Sequence, residues 1–385
     1  MSTITTPDAT KKTTIKLLSY NLFMRPPGIN EKGKDDMKDS RQRIISEMVI
    51  PDYDIICFQE LFTKFNTRRR RILHSAWETG IKYASKPPEP DFWSIHLINS
   101  GLLNLSRYKI IKTEFRGFHN YAGVDSLALK GVLYSKINIQ GEILHLFNTH
   151  LQASYGDCWA EPGQVYKEKY NVQARLNQMI ELRNFISETL LKESLSYKKI
   201  IESPDPDEYS FEDTVIICGD FNAKSTRNLP KMFEKIDNKE ARNWIEGQEG
   251  NSFIEYKFME HVLTNYGREN ILDLNKISYD GIHPETSPGS IGNGNEEPIE
   301  EQKLQEALKS TSGGIDYFFQ LLPNNKNLSR INPINDLKCC KIRPFKVNYP
   351  YFSQLSDHYA VEIKLELDLA KKETDFWEDD ITMLI

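Results

Sequence analysis

The strongest constraint on this chain is the recurrence of short β-branched and apolar runs along it: residues 15–20 (IKLLSY), 55–58 (IICF), 131–139 (GVLYSKINI), 143–148 (ILHLFN), 214–218 (TVIIC), 317–321 (YFFQL) and 360–365 (AVEIKL). Runs of this length and composition read as strands. Several are nearly continuously apolar, the pattern of strands covered on both faces. Between them, residues 38–49, 65–80, 172–191 and 256–266 carry apolar side chains at helical spacing. An α/β protein with a packed sheet core follows.

Composition supports a core of that size. The chain has 385 residues, 39% of them hydrophobic and 27% charged, a globular balance that excludes collagen-like, low-complexity and wholly disordered chains. No internal repeat of fixed period is present. Two stretches read as loops, residues 203–209 and the Gly-, Pro-, Asn- and Glu-rich residues 279–301. The second is long for a connection inside a compact domain and reads as an insertion or a mobile rim. The formal net charge of −6 argues against a protein that grips nucleic acid by its global charge, though it permits a local basic patch.

Five cysteines, Cys57, Cys158, Cys218, Cys339 and Cys340, are odd in number and lack paired spacing. That disfavours a disulfide framework or structural zinc and suits a reducing compartment. The first residues show no apolar signal region, and no uncharged apolar run reaches the length of a membrane span. The C-terminal ITMLI offers no cysteine for prenylation. The expectation is a soluble, cytoplasmic protein without a transmembrane span.

Chemistry-bearing residues collect at strand ends. SYNLFM delivers Asn21, IICFQELF delivers Glu60, and LFNTHLQA delivers His150. TVIICGDFN delivers Asp220 and Asn222, GGIDYFF delivers Asp316, and LSDHYAV delivers Asp357 and His358. Ligands gather outside strand ends in open α/β sheets. Each residue also has a plain structural reading: Glu60 as a solvated turn residue, GDFN as a β-turn or helix cap, His150 as a satisfied buried histidine, Asp357-His358 as a strand start. The conjunction of acidic, amide and imidazole groups, each at a strand terminus, favours a site.

In that order, the words N, QE, TH, GDFN, DY and SDH resemble the endonuclease/exonuclease/phosphatase superfamily of Mg²⁺-dependent phosphate-ester hydrolases. Within it the local words YNLFM (20–24), VDSLALKGVLYSKI (124–137), THLQA (149–153) and SDHYAV (356–361) are most similar to the neutral sphingomyelinases. GDFN and SDH are shared across the superfamily; LKG and THLQA are more specific. The resemblance implies a DNase I-like α/β/β/α sandwich of two packed mixed sheets flanked by helices. It implies a single catalytic domain over residues 15–366, with an insertion at about 279–301, a flexible N-terminus 1–14 and a tail 367–385.

The resemblance also implies roles. Glu60, with Asn21 beside it and Asp357 in support, is the expected Mg²⁺ site, where Mn²⁺ or Co²⁺ could substitute; hard oxygen ligands suit such an ion. His358 is the expected general base and Asp316 its orienting carboxylate. His150, Asn222 and Lys130 would stabilise the phosphoryl oxygens, Asp220 would position water or a second metal, and Asp125 resembles the partner that holds Lys130 in these enzymes. The bland reading of Lys130 is a surface lysine, and that of Asp316 a turn residue beside Gly313 and Gly314. Cys158 sits where secreted bacterial members place a disulfide cysteine, yet residues 119–123 (HNYAG) offer no partner.

The implied reaction is hydrolysis of sphingomyelin in membranes to ceramide and phosphocholine, by a monomer in transient peripheral contact with the bilayer. Phe92, Trp93 and Trp159 are candidate interfacial aromatics. The RRRR run at 68–71 could touch anionic lipid or form the solvated face of a helix. No nucleic-acid partner is expected. The same residues leave open a nuclease, a phosphoinositide phosphatase, hydrolysis of a lysophospholipid, or a non-catalytic lipid- or partner-binding module on this fold.

Overall fold

The computed structural model describes residues 11–26, 37–154, 162–287 and 314–369, apart from residues 92, 94, 231–235, 237, 249, 251, 335–338 and 351. Phe92, Cys158, Trp159, Gly313, most of the 279–301 stretch and the tail from 370 lie outside the described residues. One sheet contains β1 (Lys11–Met24), β2 (Ile55–Leu61), β3 (Tyr83–Ser85), β4 (Leu103–Ser106), β13 (Ile331–Pro333), β14 (Cys340–Arg343) and β17 (Ala360–Leu369). The other contains β5 (Lys109–Gly117), β6 (Gly131–Ile139), β7 (Glu142–His150), β8 (Thr214–Asp220), β11 (Asn270–Asp273) and β12 (Asp316–Leu322). Two short ribbons pair β9 (Asn228–Pro230) with β10 (Ser252–Ile254) and β15 (Lys346–Tyr349) with β16 (Phe352–Gln354).

Both large sheets are mixed. In the first, β1 runs parallel to β2 and antiparallel to β17; in the second, β7 runs parallel to β8, which is antiparallel to β12. Strand β1 begins at Lys11, ahead of the expected start at Ile15, because residues 11–14 pair with 366–369 of β17.

The alternation of each central strand sends its side chains to two different cores. Ile15 and Leu17 of β1 meet Ile137, Leu146, Ile216 and Phe318 of the other sheet in the core between the sheets. Leu18 and Tyr20 face outward to Ile44, Ile45, Ile72 and Ala76 of helices α1 (Lys38–Met48) and α2 (Arg68–Glu78). Val215, Ile217 and Phe319 face outward on the opposite side. They are covered there by α3 (Pro162–Glu193), α4 (Leu195–Glu202), α5 (Lys239–Gly247) and α6 (Glu255–Leu263). The short α7 (Leu274–Ser278) packs against β12 of one sheet and β14 of the other. The order of layers is therefore helix, sheet, sheet, helix, as the sequence reading expects. Among the described residues no helix is long and apolar enough to cross a membrane.

Register is what makes this fold useful. His150 lies opposite Asp220 in the β7–β8 pair, and Asp220 lies opposite Asp316 in the β8–β12 pair. Three strand ends of one sheet thus set an imidazole and two carboxylates side by side. Gly219 permits the close approach: its φ is +133°, and a Cβ there would fall 2.0 Å from the Thr149 carbonyl oxygen. In the other sheet Asn21 lies opposite Gln59 in the β1–β2 pair, followed by an irregularity in the ladder that turns Glu60 toward the same end of the sandwich.

Candidate active site

Strand ends of both sheets converge here. The Asn21 amide donates to Asp220 Oδ2 at 2.9 Å and to Glu60 Oε1 at 3.3 Å, joining the two sheets through one side chain. His150 Nε2 lies 3.5 Å from Asp220 Oδ2 and 3.9 Å from Glu60 Oε1. His358 Nδ1 is 2.9 Å from Asp316 Oδ2, which leaves its Nε2 facing Asp220 Oδ2 at 3.7 Å. Asn21, His150, Asp220, Asp316 and His358 are all buried.

Local backbone geometry is unusual at this end. Phe23, Glu60 and Asn222 all have φ between 53° and 55°, a left-handed conformation that non-glycine residues seldom adopt and that concentrates at functional positions. Each has a local tether. The Phe23 amide donates to Asn21 Oδ1 at 3.1 Å and the Asn222 amide to Asp220 Oδ1 at 2.9 Å. Behind Glu60, the Leu61 amide donates to the Gly101 carbonyl at 2.8 Å. Gly101, itself at φ +71°, has no room for a side chain, because a Cβ would sit 3.0 Å from Glu60 Cα.

Lys130 is fully committed. Its three ammonium protons meet Asp125 Oδ2 at 2.7 Å, the Leu151 carbonyl at 2.7 Å and His150 Nε2 at 3.2 Å. Asp125 also accepts the Ala153 amide at 2.8 Å, so it ties Lys130 to the segment after β7. Asn222 is likewise directed to backbone, its amide donating to the Leu151 carbonyl at 3.1 Å. These residues stand next to the cluster, Lys130 with all three donors engaged and Asn222 with one of its two amide protons on the Leu151 carbonyl.

Electrostatics separate the two histidines. Burial, with the Lys130 ammonium adding to it, pushes His150 down to about 3, so its ring is neutral. Burial opposes charge on His358 too, but the Asp316 and Asp220 carboxylates outweigh it and raise that imidazole well above its ordinary value. Burial also lifts the Asp357 carboxyl to about 7, and the negative charge of Glu60 pushes in the same direction.

Two groupings could hold a cation. Glu60 Oε2 is buried without a hydrogen-bond partner, and its charge bears on the half-buried Asp357. A hard divalent cation would compensate both carboxylates, so the donor set fits the Glu60, Asn21 and Asp357 assignment. Asp220, Asp316 and His358 also offer ligand atoms within 4.8 Å of one another. Asp316 Oδ2, however, is already taken by His358 and by the Thr286 hydroxyl at 2.6 Å, so a cation there would compete with the pair that orients the imidazole.

The structure brings every expected site residue to this end of the sandwich. Sequence reading misses Thr286. Its fully buried hydroxyl donates to Asp316 and accepts the Ile315 and Asp316 amides at 3.0 and 3.1 Å. It lies within ETSPG, whose composition says only turn; the Asp316 partner comes from tertiary structure. The RRRR run is not a free basic patch: Arg68 and Arg71 pair with Asp39, and Arg69 with Glu89.

No family model matches the chain. A Dictyostelium discoideum protein named as a sphingomyelinase is 27% identical over 414 aligned residues, covering 91% of this chain and 82% of that protein. Sphingomyelinase C 2 of Leptospira interrogans is 28% identical across 60% of this chain, and the match spans only 34% of that longer relative. By sequence, the chain is similar to proteins named as sphingomyelinases. Solved structures agree on the fold. Sphingomyelinase C from Streptomyces griseocarneus superposes with a TM-score of 0.53 at 17% identity, covering 91% of this chain and 99% of that one. A Staphylococcus aureus beta toxin variant with bound magnesium ions gives 0.51 at 18% identity, covering 91% and 98%.

Proposed function

We propose that this protein is a Mg²⁺-dependent phosphodiesterase that hydrolyses sphingomyelin to ceramide and phosphocholine, with His358 as the general base for in-line attack of water. The observation that carries the reading is the His358–Asp316 pair, at 2.9 Å, set across Asp220 from Asn21, His150 and the unpartnered Glu60 oxygen. A base with an orienting carboxylate on one side and hydrogen-bond donors with a cation site on the other is the minimum that phosphoryl transfer to water requires.

Asp316 holds His358 by Nδ1, so Nε2 is the atom that takes the proton from water. The carboxylates around it make that nitrogen a strong proton acceptor and stabilise the imidazolium once formed. Asn21 gives both amide protons to Asp220 and Glu60 and so fixes these two carboxylates at the site, and neutral His150, once Lys130 no longer donates to its Nε2, can carry its proton on that nitrogen and donate it without bringing a second positive charge. Lys130 supplies positive charge at the edge, and must release His150 before it can donate to a phosphoryl oxygen. A divalent cation held by Glu60, with Asn21 and Asp357 beside it, would stabilise the leaving oxygen as a Lewis acid and offset the carboxylate charge that raises His358.

The test is phosphocholine release from sphingomyelin vesicles, with lysophosphatidylcholine, a phosphoinositide and plasmid DNA as comparison substrates. The expected outcome is Mg²⁺-dependent release from sphingomyelin. Chelator should abolish it, and His358→Ala should lower it by about 10³- to 10⁴-fold. Cleavage of DNA or of the phosphoinositide in preference to sphingomyelin would replace this reading with another branch of the superfamily. No turnover of any of the four would leave a binding module.

A further inference from the structure

We infer that His283, held by Asp273, is a positioning residue for the Asp316–His358 pair and acts on it through Thr286; the inference rests on the hydrolytic role proposed above for that pair. Residues 280–282 are exposed, and the chain turns inward at His283. Residues 283–286 are buried although they belong to no helix or strand. Side chains fix both ends of this short path. At one end His283 Nε2 donates to Asp273 Oδ2 at 2.7 Å, and the buried Tyr256 hydroxyl donates to the same oxygen at 2.8 Å. Asp273 is itself set at the start of α7, where its Oδ1 accepts the Lys276 amide at 2.9 Å. At the other end the Thr286 hydroxyl bonds Asp316, and the Thr286 carbonyl accepts the Tyr359 amide at 2.6 Å. The segment therefore reaches Asp316 directly and His358 through the residue beside it.

The surroundings of the imidazole transmit its position. Its ring centroid lies 4.6 Å from that of Tyr256 and 5.4 Å from that of Tyr317. The Tyr317 hydroxyl is in turn 2.6 Å from the carbonyls of Gly314 and Ala223, which flank the site next to Ile315 and Asn222. Gly314 leaves the segment no slack, because a Cβ there would fall 2.8 Å from the Pro284 carbonyl oxygen and 3.3 Å from Thr286 Cγ2. Pro284 has no N–H with which to join a strand, so side-chain contacts place the segment where a ladder would otherwise do so. A buried imidazole, carboxylate and phenol add little net stability, since each bond replaces one to water. What they add is direction. An apolar side chain at 283 would fill the space between the two tyrosine rings without fixing where Thr286 stands. That placement is demanding, because the Thr286 hydroxyl meets the same Asp316 oxygen that His358 Nδ1 meets.

Amide hydrogen exchange, read without substrate, tests the anchor, and turnover of sphingomyelin tests its consequence. The parent would be compared with His283→Phe, which keeps a ring between the tyrosines but loses the donor, and with His283→Gln, whose amide nitrogen can stand in for Nε2. In His283→Phe the Ile315, Asp316 and Tyr359 amides, which all bond Thr286, should exchange about tenfold faster, with the amides of β1 and β7 unchanged. Its kcat should fall about fivefold, with KM within about twofold of the parent. His283→Gln should stay within about twofold of the parent in both measurements. Because the effect passes through Thr286, the double variant His283→Phe/Thr286→Val should lie within about twofold of Thr286→Val in kcat. Unchanged exchange in His283→Phe, faster exchange throughout the chain, a Gln variant as impaired as the Phe variant, or a double variant that loses the product of the two single losses would each overturn the inference. If His283→Phe does not fold, Asp273→Asn serves: it keeps a cap for α7 but takes the carboxylate from His283, with the same exchange result expected and unchanged exchange overturning. Should no substrate be turned over while exchange behaves as stated, the catalytic reading fails and the anchoring of Asp316 stands.

Discussion

The two sheets meet differently along their length. At one end the contact is wholly apolar, with Ile15, Leu17 and Ile363 facing Leu144, Leu146, Ile216 and Phe318. Toward the site the same interface becomes a chain of buried polar side chains. The Gln59 amide donates to Ser19 Oγ at 3.1 Å and to Asn148 Oδ1 at 2.8 Å, and the Asn148 amide donates to Asn104 Oδ1 at 2.8 Å. Asn104 donates onward to Ser135 Oγ at 2.9 Å, whose hydroxyl meets Ser85 Oγ at 2.6 Å. Burying so many polar groups gains little net stability, because each bond replaces one to water, but it fixes relative position, which non-directional apolar contact does not. The apolar end holds the sheets together, and the polar end aligns β1 and β2 with β7 so that Asn21 and His150 meet Asp220 and Asn21 bridges it to Glu60.

The sharpest way to break this comparison is at the site itself, where a substitution should remove activity and leave stability. Glu60→Gln keeps the shape but removes the charge that the unpartnered Oε2 carries. Activity should fall by several kcal/mol of transition-state stabilisation, on the order of a thousandfold. The rise in melting temperature that Mg²⁺ should give the parent should vanish as well. A variant that retains Mg²⁺ stabilisation, read by thermal denaturation with and without the ion, would place the cation elsewhere, with Asp220, Asp316 and His358 the next candidates.

At the apolar end the outcome should be reversed. Leu146 is fully buried between the sheets, so Leu146→Ala should cost about 2–5 kcal/mol in stability, read as a shift in denaturant midpoint. The specific activity of the folded fraction should stay near that of the parent. An activity loss much larger than the stability loss would mean that the apolar contact also sets site geometry, and the division between the two ends would fail.

How far this arrangement is legible in the chain follows the same division. The strands can be read because burial on both faces demands apolar runs such as TVIIC and AVEIKL, and the site carboxylates and imidazoles can be read because they interrupt those runs at their ends. Family resemblance supplies the layering, which strand and helix periodicity alone would not have produced. Gln59 and Asn148 are invisible as a pair: a polar residue in a strand reads as solvent-facing, and only the packing of one sheet on the other shows that each faces its partner. The resemblance supplies Asp125 as the partner of Lys130, but its other two acceptors, His150 and the Leu151 carbonyl, come together only in the fold.

Gln59→Leu tests the aligning role directly. It removes the donors to Ser19 and Asn148 and leaves the Asn148 oxygen buried without one of its partners, at a cost of about 1–3 kcal/mol. If the polar chain sets register, kcat should fall beyond what the lost stability explains, because misplacing Glu60 relative to Asp220 weakens the donors aimed at the phosphoryl group. Activity that simply follows the folded fraction would make the polar chain a stability element like the apolar end, and the contrast between the two would reduce to composition.

The smallest expected effect is also the most specific. Thr286→Val removes one hydroxyl that donates to Asp316 Oδ2 at 2.6 Å, the same oxygen that His358 Nδ1 meets at 2.9 Å. With that donor gone, the Asp316 charge is less dispersed and holds the imidazolium more tightly, so the His358 pKa should rise. A base must be neutral to accept a proton, so the rising limb of log kcat/KM should move to higher pH. Rate at neutral pH should fall about tenfold, equivalent to about 1.4 kcal/mol, with KM little changed, and Thr286→Ser should restore both the rate and the limb. A uniform loss at every pH would mean instead that Thr286 acts through the Ile315 and Asp316 amides it accepts, as a brace for the strand end, without tuning the base.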